Sequence, residues 1–362
     1  MLNQIPSPSV IVDLNIVDKN IQNMSEIAKK AGIKHRPHIK THKSVYFANK
    51  QKQAGAVGIT CAKLGEAEVM AEAGFDDILV AFPIIGEEKL ERLYQLAQKI
   101  KVSTCIDSIE VAQGISEVGL KLGQPIPVYI EVEGGNLRCG RQPGEDTVNF
   151  AQQVKRLQGV EIIGILTYAG QIYNEKNIDD IRRVAKEEAD NLKNTVELLR
   201  ESGIFVREIS AGSSISSKFA SELKGVTEIR AGNYIFHDVS QLSTGMASID
   251  ECALRVIATV VSTPSPGRAI IDAGSKTLTT DTAQFRKGYG YIIEYPEIEI
   301  YKLNEEHGFL RFDPSIQLSV GQRLTIIPNH ACVVANLTDE YIGVRGDQIV
   351  EVIPVEARGK NK

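Results

Sequence analysis

The sequence predicts an α/β chain: an N-terminal (β/α)8 barrel over residues 1–240, then a C-terminal, mainly antiparallel β domain over residues 241–362. Two observations predict it. Apolar, strand-like runs alternate with helical patterns eight times through the first part, which is how a (β/α)8 barrel reads. Beyond about residue 240 the pattern turns to β-rich runs broken by turn signals, without long helices. A doubly wound open sheet is the alternative for the first part. No low-complexity tract separates the two parts, so they are expected to pack tightly.

In order, Ser9–Asp13 is a short β-branched run, and Asp18–Ala31 has helical spacing through Ile21, Met24, Ile27 and Ala28 before Gly32. The eight expected barrel strands are Ile33–Ile39, Ala56–Cys61, Asp77–Ala81, Lys101–Ile106, Ile126–Val132, Glu161–Leu166, Val206–Ile209 and Val226–Ile229. Helical intervals follow the second to sixth of them at Leu64–Ala73, Glu87–Lys99, Ser108–Leu122, Gly144–Leu157 and Asn177–Ser202. The β domain is expected to use Ala253–Val261, Ala269–Ala273, Tyr291–Ile298, Glu299–Leu303, Arg323–Ile327, Ala331–Leu337, Glu340–Arg345 and Gln348–Ile353, with Pro264-Ser265-Pro266-Gly267 as a turn.

Composition places the chain among globular proteins. Its 362 residues are 43 % hydrophobic and 24 % charged, and the formal net charge of −5 gives no reason to expect nucleic acid or an anionic membrane as partner. No stretch is long enough to span a bilayer, and the N-terminus lacks the pattern of a signal peptide, so a cytoplasmic protein is expected. The five cysteines are odd in number and widely spaced, which argues for reduced thiols.

Against that background Arg36–Ser44, reading RPHIKTHKS, is dense in basic groups. In a barrel, reactive side chains stand at the C-terminal ends of strands, and phosphates often bind in the loops after the seventh and eighth. Lys40 stands at the end of the first strand. The seventh strand runs into Ser210-Ala211-Gly212-Ser213-Ser214 and the eighth into Ala231-Gly232-Asn233-Tyr234, small-residue loops able to offer N–H groups to an anion. A lysine whose charge is suppressed can form a Schiff base with an aldehyde. Lys40 facing two anion loops therefore points to a phosphorylated aldehyde such as pyridoxal 5'-phosphate, with Arg36, His38, His42 and Lys43 as the neighbouring cations. The plainer reading is a solvated basic turn. Arg138, after the fifth strand, could donate to the cofactor's phenolate oxygen, or pair with Glu131 or Glu133. Tyr168, at the end of the sixth, is placed to touch the ring, or is an interior tyrosine.

A second constellation is Pro328-Asn329-His330-Ala331-Cys332. Read as a strand, it puts His330 and Cys332 on one face, where they could share a divalent ion and leave positions open to water and substrate. Taken alone, a core histidine beside a buried cysteine is the simpler reading.

Together, Arg36–Lys43, Gly65-Glu66-Ala67-Glu68, Ala73–Leu79, Arg138-Cys139-Gly140, Asp272–Lys276, Glu305–Gly308 and Pro328–Cys332 resemble the D-threonine aldolase and D-serine dehydratase family, with alanine-racemase-like fold type III architecture. The resemblance spans nearly the whole chain. It implies a pyridoxal phosphate- and metal-dependent lyase acting on D-β-hydroxy amino acids, in a homodimer. Lys40 then matches the Schiff-base lysine, Arg138 the arginine near the phenolic oxygen, and Gly212, Ser213, Ser214, Gly232 and Asn233 the phosphate cradle. His330 and Cys332 match the metal pair, zinc in the dehydratases and manganese or similar ions in many aldolases. Aldolases of this kind carry a histidine shortly after the position of Tyr168, and here Ala169–Asn174 has none. Either a metal-bound water or His42 would take its role as base, or the chain is not an aldolase of that type. The expected activity is a D-threonine aldolase-type cleavage, with D-serine dehydration as the alternative. An amino-acid racemase or a non-catalytic pyridoxal phosphate-binding protein are the further ones.

Overall fold

The computed structural model describes residues 5–362. Strand β1 (Ser9–Asp13) leads into helix α1 (Leu14–Ala31), whose start and end are both chemically marked. The Asp13 carboxylate accepts the free N–H groups of Asn15 and Ile16. At the other end Gly32 takes a left-handed φ of 67° and its N–H turns back to the carbonyls of Ala28 and Lys29.

The eight barrel strands are β2 (Lys34–His35), β3 (Ile59–Cys61), β4 (Asp77–Val80), β5 (Lys101–Ile106), β6 (Ile126–Val132), β7 (Val160–Thr167), β8 (Glu208–Ala211) and β9 (Glu228–Ile229). They form one parallel sheet in the order β2-β9-β8-β7-β6-β5-β4-β3. A parallel bridge between His38 and Thr60 brings its two ends together, and the Thr60 N–H donates to the Pro37 carbonyl at 2.8 Å. Helices α2 (Val45–Gln53), α3 (Leu64–Glu72), α4 (Glu87–Ala97), α5 (Ile109–Leu122), α6 (Glu145–Val154) and α7 (Ile178–Glu201) connect the strands from β2 to β8. The strands are buried on both faces, so they read as unbroken apolar runs. All eight expected strands are present, while α2 was not anticipated.

The second sheet has nine strands built around β10 (Leu254–Ser265). It contains β11 (Arg268–Ile271), β12 (Tyr291–Ile292), β13 (Glu299–Leu303), β14 (Gly308–Arg311), β15 (Arg323–Ile327), β16 (Glu340–Arg345) and β17 (Gln348–Pro354). Pairing is antiparallel except between β1 and β16. Strand β1 thus belongs to this sheet, although it precedes the barrel strands in the chain.

Three short helices lie in the C-terminal part: α8 (Val239–Ser243), α9 (Ser275–Leu278) and α10 (Ala331–Leu337). The last corrects an expected strand. Ala331, Val334 and Ala335 are buried at helical spacing, and the Asp238 carboxylate accepts the Ala331 N–H at 2.9 Å, a group that a helix start leaves free. The expected strand Tyr291–Ile298 shrinks to Tyr291–Ile292.

The two halves meet at the Lys40 loop. Phe47, Phe236 and Tyr341 stack edge-on with ring centres 5.3–5.7 Å apart, a geometry adding roughly 0.5–1.5 kcal/mol per pair beyond burial. The Tyr341 hydroxyl donates to the His42 carbonyl at 2.7 Å, and the Ala357 N–H donates to the Lys43 carbonyl at 2.9 Å. The C-terminal sheet and tail therefore fix the backbone just after the turn that presents Lys40. Among the described residues, no helix is long and apolar enough to cross a membrane.

Candidate active site

A cavity of 710 Å³ opens at the C-terminal mouth of the barrel, and it collects residues from both halves of the chain. The N–H groups of Arg36 and His38 carry the pairing on past Pro37 to the Ile229 and Ala231 carbonyls, and the chain then turns into a short 3-10 segment, Ile39–Thr41. That turn puts Lys40 on the cavity wall. Its amine titrates below the ordinary lysine range, first because the site desolvates it and then because Arg138 and Arg230 face it; Cys332 and Glu66 pull the other way. The cations next to Lys40 in sequence are not the main cause. Arg36 is tied to Glu228 at 2.8 Å and to Asp77 at 2.5 Å. Lys43 is tied to Glu66 at 2.8 Å.

Lys40 Nζ lies 5.7 Å from the centre of the Tyr168 ring, and the Arg138 guanidinium lies 5.4 Å from the same centre. Burial pushes the Tyr168 hydroxyl up to about 12. Arg138 also has Glu131 at 3.7 Å, so the ion pair anticipated for it exists while its side chain still lines the cavity.

The two small-residue loops converge on the same space. Gly212 has a φ of 86°. The Ser213 hydroxyl accepts the N–H groups of Ile215 and Ser216, and the Ser214 hydroxyl accepts the N–H of Tyr234 at 2.9 Å, which joins the loop after β8 to the loop after β9. A Cβ on Gly232 would stand 2.7 Å from the His38 carbonyl oxygen, so only glycine lets these backbones approach. The N–H groups of Ser214, Gly232 and Asn233 have no acceptor among the described residues, and the buried Ser217 hydroxyl has no partner. Donors left free on two joined loops fit a phosphate.

His330 is the residue before α10, and Cys332 lies in that helix's first turn, so the pair converges through a helix start and not along a strand. His330 Nδ1 is 2.7 Å from the Asp281 carboxylate, which leaves Nε2 for a ligand. Cys332 Sγ lies 3.3 Å from the Thr41 hydroxyl, one residue from Lys40. Burial alone would lower the His330 imidazole, but Cys332 and then Asp238 and Asp281 raise it to about 10. Burial would raise the Cys332 thiol, yet His330 holds it below the usual range. An imidazole nitrogen and a thiolate suit zinc better than manganese. Among the described residues, no group of three or more His, Cys, Asp or Glu side chains forms a closed metal cage.

His42 is elsewhere. It is fully buried and does not line the cavity. Its Nδ1 accepts the Ser44 N–H at 3.1 Å, and its Nε2 faces the Gln51 carboxamide oxygen at 3.2 Å. With both nitrogens engaged it has none to offer the cavity as a base. Conversely, Arg230 and Asp238 line the cavity and were not anticipated. Arg230 donates to the Ser210 hydroxyl and the Thr167 carbonyl, both at 2.6 Å. Asp238 accepts from Asn233 Nδ2 at 2.6 Å and from the Ala331 N–H. The signal for Arg230 was its place directly before the second glycine loop.

Comparison with known proteins agrees with this geometry. The model of the alanine racemase N-terminal domain matches residues 12–239, and that of a putative serine dehydratase domain matches residues 253–344. A D-threonine aldolase from Arthrobacter sp is 32 % identical over 363 aligned residues, covering 99 % of this chain and 94 % of the relative.

The chain belongs to the D-threonine aldolase and D-serine dehydratase family.

A second member, the D-threo-3-hydroxyaspartate dehydratase of Delftia sp. (strain HT23), is 32 % identical, covering 95 % of this chain and 96 % of the relative. The crystal structure of D-threonine aldolase from Filomicrobium marinum superposes with a TM-score of 0.92 at 32 % identity, covering 99 % of this chain and 97 % of that one. Members of the family are pyridoxal phosphate-dependent lyases.

Proposed function

We propose that this chain is a pyridoxal phosphate- and divalent metal-dependent lyase that cleaves D-β-hydroxy amino acids, in the manner of a D-threonine aldolase. The observation that carries the reading is that a desolvated lysine, two joined anion loops and a histidine–cysteine pair open onto one cavity. Pyridoxal phosphate, when bound, supplies an electron sink conjugated to Cα of the amino acid, and a divalent ion supplies a Lewis acid for its β-hydroxyl.

The rest is work for the chain's own groups. Lys40, its amine made less basic than an ordinary lysine by burial, would anchor the cofactor aldehyde and yield it to the substrate amine. The free N–H groups of Ser214, Gly232 and Asn233 would hold the phosphate, Arg138 would donate to the phenolic oxygen, and Tyr168 would contact the ring. His330 and Cys332 are the ligands for the ion, with zinc the better match to their softness. In aldol cleavage the β-hydroxyl would give its proton to a base, Cα–Cβ would break with the electron pair left on Cα, and Cα would take up a proton before glycine and an aldehyde leave.

A second reading, dehydration, is favoured by one specific observation: Ala169–Asn174 offers no histidine to take the hydroxyl proton, and His42 lies outside the cavity. Here Lys40 would take the Cα proton, the hydroxyl would leave with a proton as water, and hydrolysis of the resulting enamine would give a 2-oxo acid and ammonia. Support for cleavage comes from the D-threonine aldolases, one matching 99 % of the chain and one superposing at 0.92. Incubation of the loaded protein with D-threonine and D-serine, assayed separately for glycine and for 2-oxo acid, decides between them. Glycine and aldehyde in equal amounts from D-threonine are expected. Undiminished turnover after exhaustive chelation would overturn both lyase readings.

A further inference from the structure

The charges around the cavity do not all have partners. Arg138 has Glu131, His330 has Asp281, and Lys40 is assigned to the cofactor. Lys63 is different. It stands at the end of β3, capping α3, and lines the same cavity as Lys40, Arg138, His330 and Cys332. Its ammonium sits over the face of Phe82, 3.3 Å from the ring centre. No carboxylate among the described residues pairs with it. Burial and the neighbouring Lys89 both disfavour its charge, while Glu66 offsets them in part. Glu66 itself is engaged with Lys43 and with the Ala62 N–H.

A solvated lysine would normally swing away from a second cation. This one instead lies, only partly buried, on an aromatic face at the wall of a substrate-sized cavity. Strand β3 adjoins the Lys40 loop through the His38–Thr60 bridge, only three residues before Lys63. An anionic group on the substrate would complete this site.

We infer that Lys63 receives a side-chain carboxylate of the substrate, so that the chain prefers D-β-hydroxy amino acids with a second acid group, of the 3-hydroxyaspartate type. The inference rests on the lyase reading and narrows its substrate. A substrate with a methyl or hydrogen in place of that carboxylate leaves Lys63 uncompensated.

The test uses D-aspartate and D-alanine, which lack the β-hydroxyl that either lyase reaction requires. The pyridoxal phosphate-loaded full chain is titrated with each, and binding is read from the cofactor absorbance. The wild type should bind D-aspartate about 10–100-fold more tightly than D-alanine, the worth of a charge-assisted hydrogen bond. Lys63→Gln should abolish that difference, with the loss confined to D-aspartate, and Lys63→Arg should restore part of it. Equal weakening of both ligands in Lys63→Gln, or no preference in the wild type, would overturn the inference and leave the lyase reading standing. An absorbance indifferent to every D-amino acid would overturn the lyase reading and this one with it.

Discussion

The pair beneath the Lys40 loop offers the sharpest perturbation. Lys43 and Glu66 meet at 2.8 Å with side chains only 6 % and 1 % exposed. Lys43 also holds a left-handed φ of 51°, an unfavourable conformation for a lysine that the surrounding contacts maintain. Glu66→Gln leaves the ammonium buried without its counter-charge, a change that costs about 3–5 kcal/mol in comparable pairs. The Asn361 carboxamide oxygen at 3.1 Å and the Ala357 carbonyl at 3.4 Å still accept from it, which places the expectation near the lower figure. Glutamine keeps an oxygen for the Ala62 N–H, now bonded at 2.6 Å, so that contact is not part of the loss. With a urea slope of about 3 kcal/mol/M, the midpoint should fall by about 1 M. Lys43→Met combined with Glu66→Gln removes both charges and should recover part of the loss, because an apolar replacement avoids desolvating an ion. A single variant within about 0.2 M of the wild type, or a double variant less stable than the single, would refute the reasoning.

Acid should destabilise the cofactor-free protein in a defined window. Burial holds His35 and His42 neutral, down to about 4 against an ordinary 6.5, so the unfolded chain takes up protons first and stability falls as pH drops from 6.5 towards 4. Each contributes up to about 3 kcal/mol; urea midpoints unchanged between pH 7 and pH 4.5 would contradict this. Gly232→Ala should weaken pyridoxal phosphate binding at least about tenfold by forcing apart backbones that a Cβ would bring within 2.7 Å, as equilibrium dialysis would show. His330→Ala should remove bound metal, measured by elemental analysis, while the cofactor absorbance stays; unchanged metal content would make His330 a structural residue.

Much of this was legible in the sequence because buried parallel strands leave continuous apolar runs, and β5 and β6 were found with their observed ends. Lys40 stood out through local charge density, but the cause of its lowered basicity was not local. The partner of Arg36, Glu228, is 192 residues away, and only the closed barrel shows that Arg36 is neutralised. The cations that face Lys40, Arg138 and Arg230, come from other strands. His330 and Cys332 were brought together through the wrong geometry. Cys332, Val333 and Val334 look β-prone, yet burial of Ala331, Val334 and Ala335 on one face and the Asp238 contact make the segment helical. The place of β1 could not be read either, since its partners β10 and β16 lie hundreds of residues along the chain.

The central claim is that Lys40 carries the cofactor. Borohydride reduction of the loaded protein followed by peptide mapping tests it directly, after an absorbance band at roughly 410–430 nm has confirmed loading. The account predicts one pyridoxyl group, on Lys40, and neither band nor adduct in Lys40→Ala. A band and adduct that survive Lys40→Ala, or a label on another lysine, would contradict it.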